Sequence, residues 1–449
     1  MKKAIFILGC GVMQIPALRL AKDNGWMVCA ADGDFNAPGR QYCDEFHHVD
    51  LKDARGLIAA AETIRNGRGP DGVFTAGTDF SLSAALVAEA LNLPGHGAEA
   101  ARRATDKVLM RETFRAADIP SPSFVEITGD ISLQQQLDSV PGPWVVKPVD
   151  SMGARGVIKI DNPTDLAAAI DTACSFSRSG RALVETFMEG PEFSLDALVT
   201  QGRLIRCGLA DRIIVYPPCF IEIGHTIPSK ADIDTADTLW KIFEDGVHAL
   251  GLTHGAAKGD VKLTPQGVMI GEIAARLSGG YMSGWTYPAA SGIEPTLSAM
   301  RLALGMETGD LVPSLNLICA ERALVGIDGT VHRFDGRDDA MKSKGVKEVF
   351  LRCRPGDAIT FPRNNVEKAA NVIAVGTTHA EASERAMEAL RRLRLVLNPA
   401  DAVTGTYLDS FADFPPDVFA PENYFDGIWQ EHPPLPSRGC PQNCPWILI

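Results

Sequence analysis

The chain predicts a mixed architecture, α/β followed by α+β: a doubly wound parallel-sheet domain, a larger two-part region of antiparallel strands and helices, and a smaller α+β module. Three observations predict it. The first hundred residues alternate apolar strand runs with helix patterns. From Phe124 the short apolar runs FVEI, PWVVKPV, GVIKI, ALVETF, EFSLDALV and RLIRCGL crowd together around one helix pattern near DLAAAIDTACSF. Past residue 315, LICAERALVGI and NVIAVG read as strands ahead of a helix over residues 380–394. A length of 449 residues with 45% hydrophobic composition accommodates about two to four domains with sizeable cores.

Taken in order, residues 4–9 (AIFILG) form a buried strand, Gly9-Cys10-Gly11 a turn, residues 14–24 a helix and MVCAAD a second strand. GCGVMQ imitates a dinucleotide fingerprint, with Gln14 in the place of the third glycine and Asp32 about 20 residues on; the tight strand-to-helix turn of any doubly wound domain is the preferred reading. GVFTAG is another strand, followed by the helix SLSAALVAEAL, and Asp79 at that strand's end is a candidate substrate contact. These boundaries predict domains over residues 1–100, 101–310 and 311–406, with a hairpin at about 258–280 in the second. Residues 233–250 repeat apolar groups at Leu239, Phe243, Val247 and Leu250, a helix packed just ahead of that hairpin. Residues 407–449 are rich in proline and aromatics and read as an extended arm.

A net charge of −13 argues against nucleic acid or an anionic membrane as partner and leaves small molecules. MKKAIFILGCGV begins like a signal peptide, but its apolar run is short and ends in glycines without a small-residue cleavage site. No later stretch is long enough to span a bilayer. Ten cysteines, scattered apart from Cys440 and Cys444, suit reduced thiols in a cytoplasm, and CPQNC lacks the second ligand pair of a metal site. A homodimer is the prior expectation for oligomeric state.

The most chemical stretch is GDVKLTPQGVMIGEIAARLSGG, residues 259–280. Thr264-Pro265-Gln266-Gly267 is a turn signal between two apolar runs, so a β-hairpin is expected. With the turn centred on Gln266, Asp260 and Glu272 are equidistant from it and face each other across the ladder. Two carboxylates about 5 Å apart repel by roughly 3 kcal/mol at an effective dielectric near 20, so the pair needs a cation, a shared proton or solvent. A hard, oxygen-ligated ion such as Mg²⁺ fits. Arg276, four residues after Glu272 and just ahead of Ser278, Gly279 and Gly280, can grip a phosphate or carboxylate beside that ion with its planar fork. A second constellation starts at Lys147 in WVVKPVDSMGARGV, where a lysine ending an apolar strand precedes a loop with Ser151, Gly153 and Gly156. Such an arrangement can surround a phosphate chain, although the Walker order of glycines before lysine is absent. Downstream, VETFMEGPEFSLD carries Glu185, Glu189 and Glu192, acids able to hold ribose hydroxyls or an adenine amino group. Each of these segments alone has an ordinary explanation as solvated surface.

Together, and in this order, they resemble the ATP-grasp superfamily over nearly the whole chain to about residue 406. The resemblance implies an ATP-grasp fold and, as activity, activation of a carboxylate by ATP to an acyl phosphate that is passed to an amine. TDKVLMRETFRAADIPSP resembles the segment before the central domain, which implies that Lys107 reaches the nucleotide phosphates, with a nucleotide lid at about 120–200 and Lys147 as second nucleotide lysine beneath a mobile loop. VETFMEGPEFSLD resembles the adenine hinge, implying that Glu185 and the backbone of Phe187 and Met188 line the base and Glu192 binds ribose. The hairpin resembles the metal-binding one: Asp260 and Glu272 hold Mg²⁺ (or Mn²⁺) and Arg276 steadies the transferred phosphate. FPRNNVEKAANVIAVGTTHAEASERA resembles the closing domain. Many members read Glu-x-Asn-x-Arg where this chain has Ala274; EIAAR is more similar to L-amino-acid ligases, which puts a two-metal site in question. Arg212 is expected near the γ-phosphate, and His225, with Ser278, Gly279, Gly280 and Asp79, near the substrates.

The implied activity is an ADP-forming carboxylate–amine ligase using ATP and Mg²⁺. Competing readings are a bicarbonate-dependent carboxylase or carbamoyl-phosphate-type enzyme, a nucleotide-binding protein without turnover, and, weakest, a dehydrogenase built on GCGVMQ.

Overall fold

A computed structural model describes residues 2–127, 133–309, 311–398, 401–409 and 447–448, so nearly all of the proline-rich arm expected over 407–449 lies outside the described residues. The chain divides into two compact units, one of Met1–Pro122, Phe193–Leu209 and Ala231–Leu315, the other of Ser123–Glu192, Ala210–Lys230 and Asn316–Ile449. Among the described residues no helix is long and apolar enough to cross a membrane.

The first unit opens with four parallel strands in the spatial order Glu45–His48, Met27–Asp32, Ala4–Leu8, Gly72–Phe74. Ala4–Leu8 is buried throughout because successive side chains enter different cores: Ile5 and Ile7 pack with Val28, Ala30 and Leu18, whereas Phe6 and Leu8 pack with Cys29, Ala31, Leu57 and Ile64. The helices Ile15–Asp23 and Ala54–Gly67 supply Leu18 to one face and Leu57 and Ile64 to the other.

The turn after the first strand explains why the fingerprint is imperfect. The Asp32 carboxylate accepts hydrogen bonds from the Cys10 amide at 2.6 Å and the Asp34 amide at 2.8 Å. Gln14 is buried, and its side-chain amide donates to the Ala76 carbonyl at 2.6 Å. Asp32 thus ties the first turn to the second strand through backbone amides, and the Gln14 side chain folds into the turn where a third glycine would stand, the arrangement of a tight strand-to-helix turn in a doubly wound domain.

In the same unit, Gly255–Thr264 and Gly267–Ala274 form the predicted hairpin. The 18-residue helix Ile233–Leu250 covers it, burying Leu239, Phe243, Val247 and Leu250 against Val261, Ile270, Ile273 and the strand residues Phe193 and Leu195. Asp232 caps this helix by accepting from the Thr235 amide at 2.7 Å, and Gly251 ends it in the left-handed region at φ 78°.

The second unit holds an antiparallel sheet in the order Phe124–Glu126, Ala182–Thr186, Trp144–Pro148, Ile158–Ile160. The helix Leu166–Phe176 closes it through Leu166, Ala169 and Ala173, packed on Val146, Ile160 and Val184. In a separate sheet the second half of Arg203–Val215 pairs with Ile221–Ile227, followed by Ile318–Leu324, Ala370–Gly376 and Val346–Leu351, all antiparallel. The helix His379–Arg392, within two residues of its predicted bounds, packs on this sheet through Ala382 and Ala386, beside Ala320 and Ala374.

Candidate active site

The predicted site residues fall into two groups, one in each unit. In the first, the hairpin brings Asp260 opposite Glu272. The route differs from the one the sequence suggests. The turn residues are Pro265 and Gln266, since Thr264 pairs with Gly267, and the register then runs regularly to Val261 opposite Ile270. Continued unchanged, it would set Asp260 against Gly271; a β-bulge at this point skips Gly271 and restores the carboxylate pair. The Gly271 carbonyl accepts from the Arg111 guanidinium at 2.5 Å, and Arg111 is itself buried, so the bulge is held from within the unit.

Each carboxylate has a lysine. Glu272 lies 3.7 Å from Lys107 Nζ, and Asp260 is paired with Lys258. Lys107 is the first residue of the helix Lys107–Ala116, capped by Asp106, and is 5% exposed, so its ammonium is presented by a rigid element. Lys258 stands two residues before Asp260 on one strand and so on the same face. Sequence reasoning passed over it, although that spacing is its signal.

Arg276 is buried; its Nε donates to the Thr78 carbonyl at 3.0 Å and its Nη1 to the Leu277 carbonyl at 2.9 Å. Asp79, half-buried, is the next residue after Thr78. Ser278 is tied to Asp196: its amide donates to Oδ1 at 2.8 Å and its hydroxyl bonds Oδ2. Asp196 is almost fully buried, and burial raises its pKa despite both donors. It also escaped the sequence reading, where an acid at the fifth position of EFSLDALVT, a strand with eight other residues, was its mark. Gly279 lies against Gly77: a Cβ added to Gly279 would sit 3.2 Å from the Gly77 Cα, and Gly280 is left-handed at φ 64°. The segment from Arg276 to Gly280 is therefore pinned at its guanidinium, at Ser278 and by a glycine–glycine contact.

In the second unit, Lys147 forms an ion pair with Glu185, whose side chain is 2% exposed. Ser151 is buried in the loop that follows, and Gly153, Ala154 and Gly156 all have left-handed backbones at φ 71°, 58° and 69°. The Phe187 amide donates to the Pro143 carbonyl at 2.8 Å, so this amide is already engaged; its ring stacks on Phe220 with centroids 6.1 Å apart, and Lys159 Nζ sits 5.1 Å from the ring. Met188 beside it is half-buried.

Arg212 is clamped between two carboxylates, Glu192 at 2.5 Å and Glu222 at 2.8 Å. Register explains why: Arg212 lies opposite His225, and Glu222 lies opposite Ile214, two residues on from Arg212 and so on its face. His225 lies opposite Glu321 on the next strand. His225 is fully buried, with Nδ1 3.5 Å from Glu321 and 3.8 Å from Glu222, and Asn371 donates to Glu321 at 2.5 Å. One sheet face thus carries a row of polar groups drawn from four strands. Burial alone would push the Glu222 carboxyl up; the Arg212 guanidinium, Lys368 and His225 outweigh it and hold it at about 2.

The donor set at the hairpin suits a hard cation. Two carboxylates on adjacent strands, each beside a lysine, match the requirement of Mg²⁺ for one or two protein oxygens completed by phosphate and water. Ala274 is 2% exposed and offers no oxygen.

The segment 140–284 matches the ATP-grasp domain family, and 324–398 matches the family described as L-amino acid ligase C-terminal domain 2. The chain is 25% identical over 355 residues to the uncharacterized protein y4rH of Sinorhizobium fredii, covering 77% of this chain and 73% of that one. It is also 25% identical over 329 residues to carnosine synthase 1 of Gallus gallus, covering 68% of this chain but only 35% of that enzyme. Among solved structures, L-amino acid ligase from Bacillus licheniformis superposes with a TM-score of 0.76 at 22% identity, covering 88% of this chain and 99% of that one; at this identity the likeness speaks for the fold. The chain thus carries an ATP-grasp domain over residues 140–284 and, behind it, an L-amino acid ligase C-terminal domain over residues 324–398.

Proposed function

We propose that the protein is an ATP-dependent ligase that activates the carboxylate of an amino acid as an acyl phosphate and joins it to an amine, releasing ADP and phosphate. The observation that carries this reading is the pairing of Asp260 with Glu272 across the hairpin, with the Lys107 ammonium 3.7 Å from Glu272 and Arg276 fixed four residues on. Acyl-phosphate formation brings an anion up to a polyanion, and fixed cations answer that problem. Lys107 and Lys147 bind phosphate oxygens, and Arg276, its Nε and Nη1 held by backbone carbonyls, orients the transferred group. Asp260 and Glu272 would hold Mg²⁺, which when bound neutralises charge on the phosphates. Glu185 fixes Lys147 within the sheet, and Glu192 and Glu222 fix Arg212. The loop 151–156 excludes water from the activated acyl group. The domain match over 324–398 supports amino acids as substrates and weighs against the bicarbonate-using alternative.

A screen of ADP release across amino acids and amines, with hydroxylamine added to trap activated acyl groups, tests the proposal. The expected result is an amino-acid hydroxamate formed with ADP and requiring a divalent ion. ADP release that needs bicarbonate and no other acid, with no hydroxamate, would overturn it.

A further inference from the structure

We propose that Asn365 is a positioning residue that latches the glycine loop 151–156 to the C-terminal module and ties that loop to the Arg212–Glu222 pair. Only the kinetic consequences rest on the ligase reading. Residues 361–368 (FPRNNVEK) form a strap anchored at both ends. At one end the Phe361 amide donates to Asp328 Oδ1 at 2.8 Å, and its ring packs edge-on to Tyr216, 5.2 Å between centroids. At the other, the Ala369 amide donates to the Leu324 carbonyl at 2.8 Å. Within the strap the buried Asn364 side chain accepts from the Val366 amide at 2.9 Å and sets the turn.

Asn365 reaches two partners from this fixed base. Its backbone amide donates to the Gly153 carbonyl at 2.9 Å, and its side-chain oxygen accepts from the Glu222 amide at 2.7 Å. Gly153, Ala154 and Gly156 are all left-handed, and an alanine holds that conformation only when its surroundings impose it. The strap is one such constraint: Asn365 grips the Gly153 carbonyl, and a Cβ on Gly153 would lie 3.7 Å from Val366. The Glu222 carboxylate, on the residue whose amide Asn365 receives, holds Arg212. Loop and guanidinium therefore share a mechanical reference supplied by one asparagine.

The test is hydrogen exchange, read by mass spectrometry, over residues 150–158 of the full chain without nucleotide. It is paired with ATP kinetics for wild type, Asn365→Ala and Asn365→Asp. Asn365→Ala keeps the backbone N–H that donates to Gly153 and removes the acceptor of the Glu222 amide, so the Glu222 amide, read in the same experiment, should exchange about tenfold faster, and the loop 151–156, whose strap loses one of its two attachments, should exchange faster with it. KM for ATP should rise about five- to tenfold with a smaller change in kcat, and the ratio of ADP to trapped hydroxamate should increase as water gains access. Asn365→Asp keeps the acceptor oxygen and should return loop exchange to within about twofold of wild type. Gly153→Ala, which strains the loop at the residue whose carbonyl Asn365 holds, should accelerate the same exchange and serves if Asn365→Ala does not fold. Wild-type exchange in Asn365→Ala or, failing that variant, in Gly153→Ala overturns the latch. A wild-type chain that forms no hydroxamate would overturn the ligase reading instead and leave the exchange result to decide the latch.

Discussion

Replacing Glu222 by glutamine should cost stability at neutral pH and cost progressively less in acid. The carboxyl is held at about 2 against an ordinary 4.5, because Arg212, Lys368 and His225 outweigh the burial that would raise it. At about 1.4 kcal/mol for each tenfold in proton affinity, that depression corresponds to about 3 kcal/mol of folding free energy at pH 7. The sign follows from the direction: the folded state binds this proton less tightly than the unfolded chain, so the contribution is complete above pH 4.5 and is lost as pH falls through about 2. A glutamine of the same shape carries no charge and contributes none of it. The deficit of Glu222→Gln relative to wild type is therefore about 3 kcal/mol at pH 7, about 1.4 kcal/mol at pH 3 and close to zero at pH 2.

Urea unfolding followed by tryptophan fluorescence, at pH 7, 5, 4 and 3, measures this difference directly. A deficit as large at pH 3 as at pH 7 would mean that Glu222 acts through packing, and absence of a deficit at pH 7 would mean that Arg212 does not hold it ionised. Either result would remove the basis for treating Glu192, Arg212 and Glu222 as a charge clamp that orients the guanidinium.

Three further predictions address other parts of the molecule. Lys147→Met leaves the nearly inaccessible Glu185 without its cation and should destabilise the protein by about 3–5 kcal/mol; adding Glu185→Gln should recover most of that stability, while calorimetric titration with ATP shows weakened binding in both variants. Glu272→Ala and Arg276→Ala should each lower ADP formation by at least about a hundredfold with an unchanged circular dichroism spectrum, and turnover retained in either would mean the site lies elsewhere. Burial pushes the Glu294 carboxyl up to about 7, so the folded state binds this proton more tightly than the unfolded chain and stability is lost as pH rises through that value; Glu294→Gln should melt above wild type at pH 8 and with it near pH 4.

What the sequence discloses about this protein depends on how local the responsible physics is. Ala4–Leu8 was legible as a short continuous apolar run ending in a glycine turn, and Ile233–Leu250 because its burial follows a period near 3.6 within one segment. The hairpin acids were legible for a reason that proves only partly right. The turn signal located the hairpin and the equal spacing paired Asp260 with Glu272, yet the real turn is half a residue off and the pairing survives through the bulge at Gly271, which Arg111 reaches from a helix 160 residues upstream. No local pattern encodes that contact. The row of Arg212, His225, Glu321 and Asn371 was harder still: Arg212 and His225 were legible one at a time, Glu321 and Asn371 were not, and the relation among the four exists only in the register between paired strands. A polar residue in a fully buried strand is costly unless its neighbour answers it. Four such residues in the strands of one sheet are therefore better explained by a shared network than by four separate accidents. By the same reasoning Asp196, an acid at the centre of a buried strand, implies a partner that local sequence does not name, and the structure identifies it as Ser278.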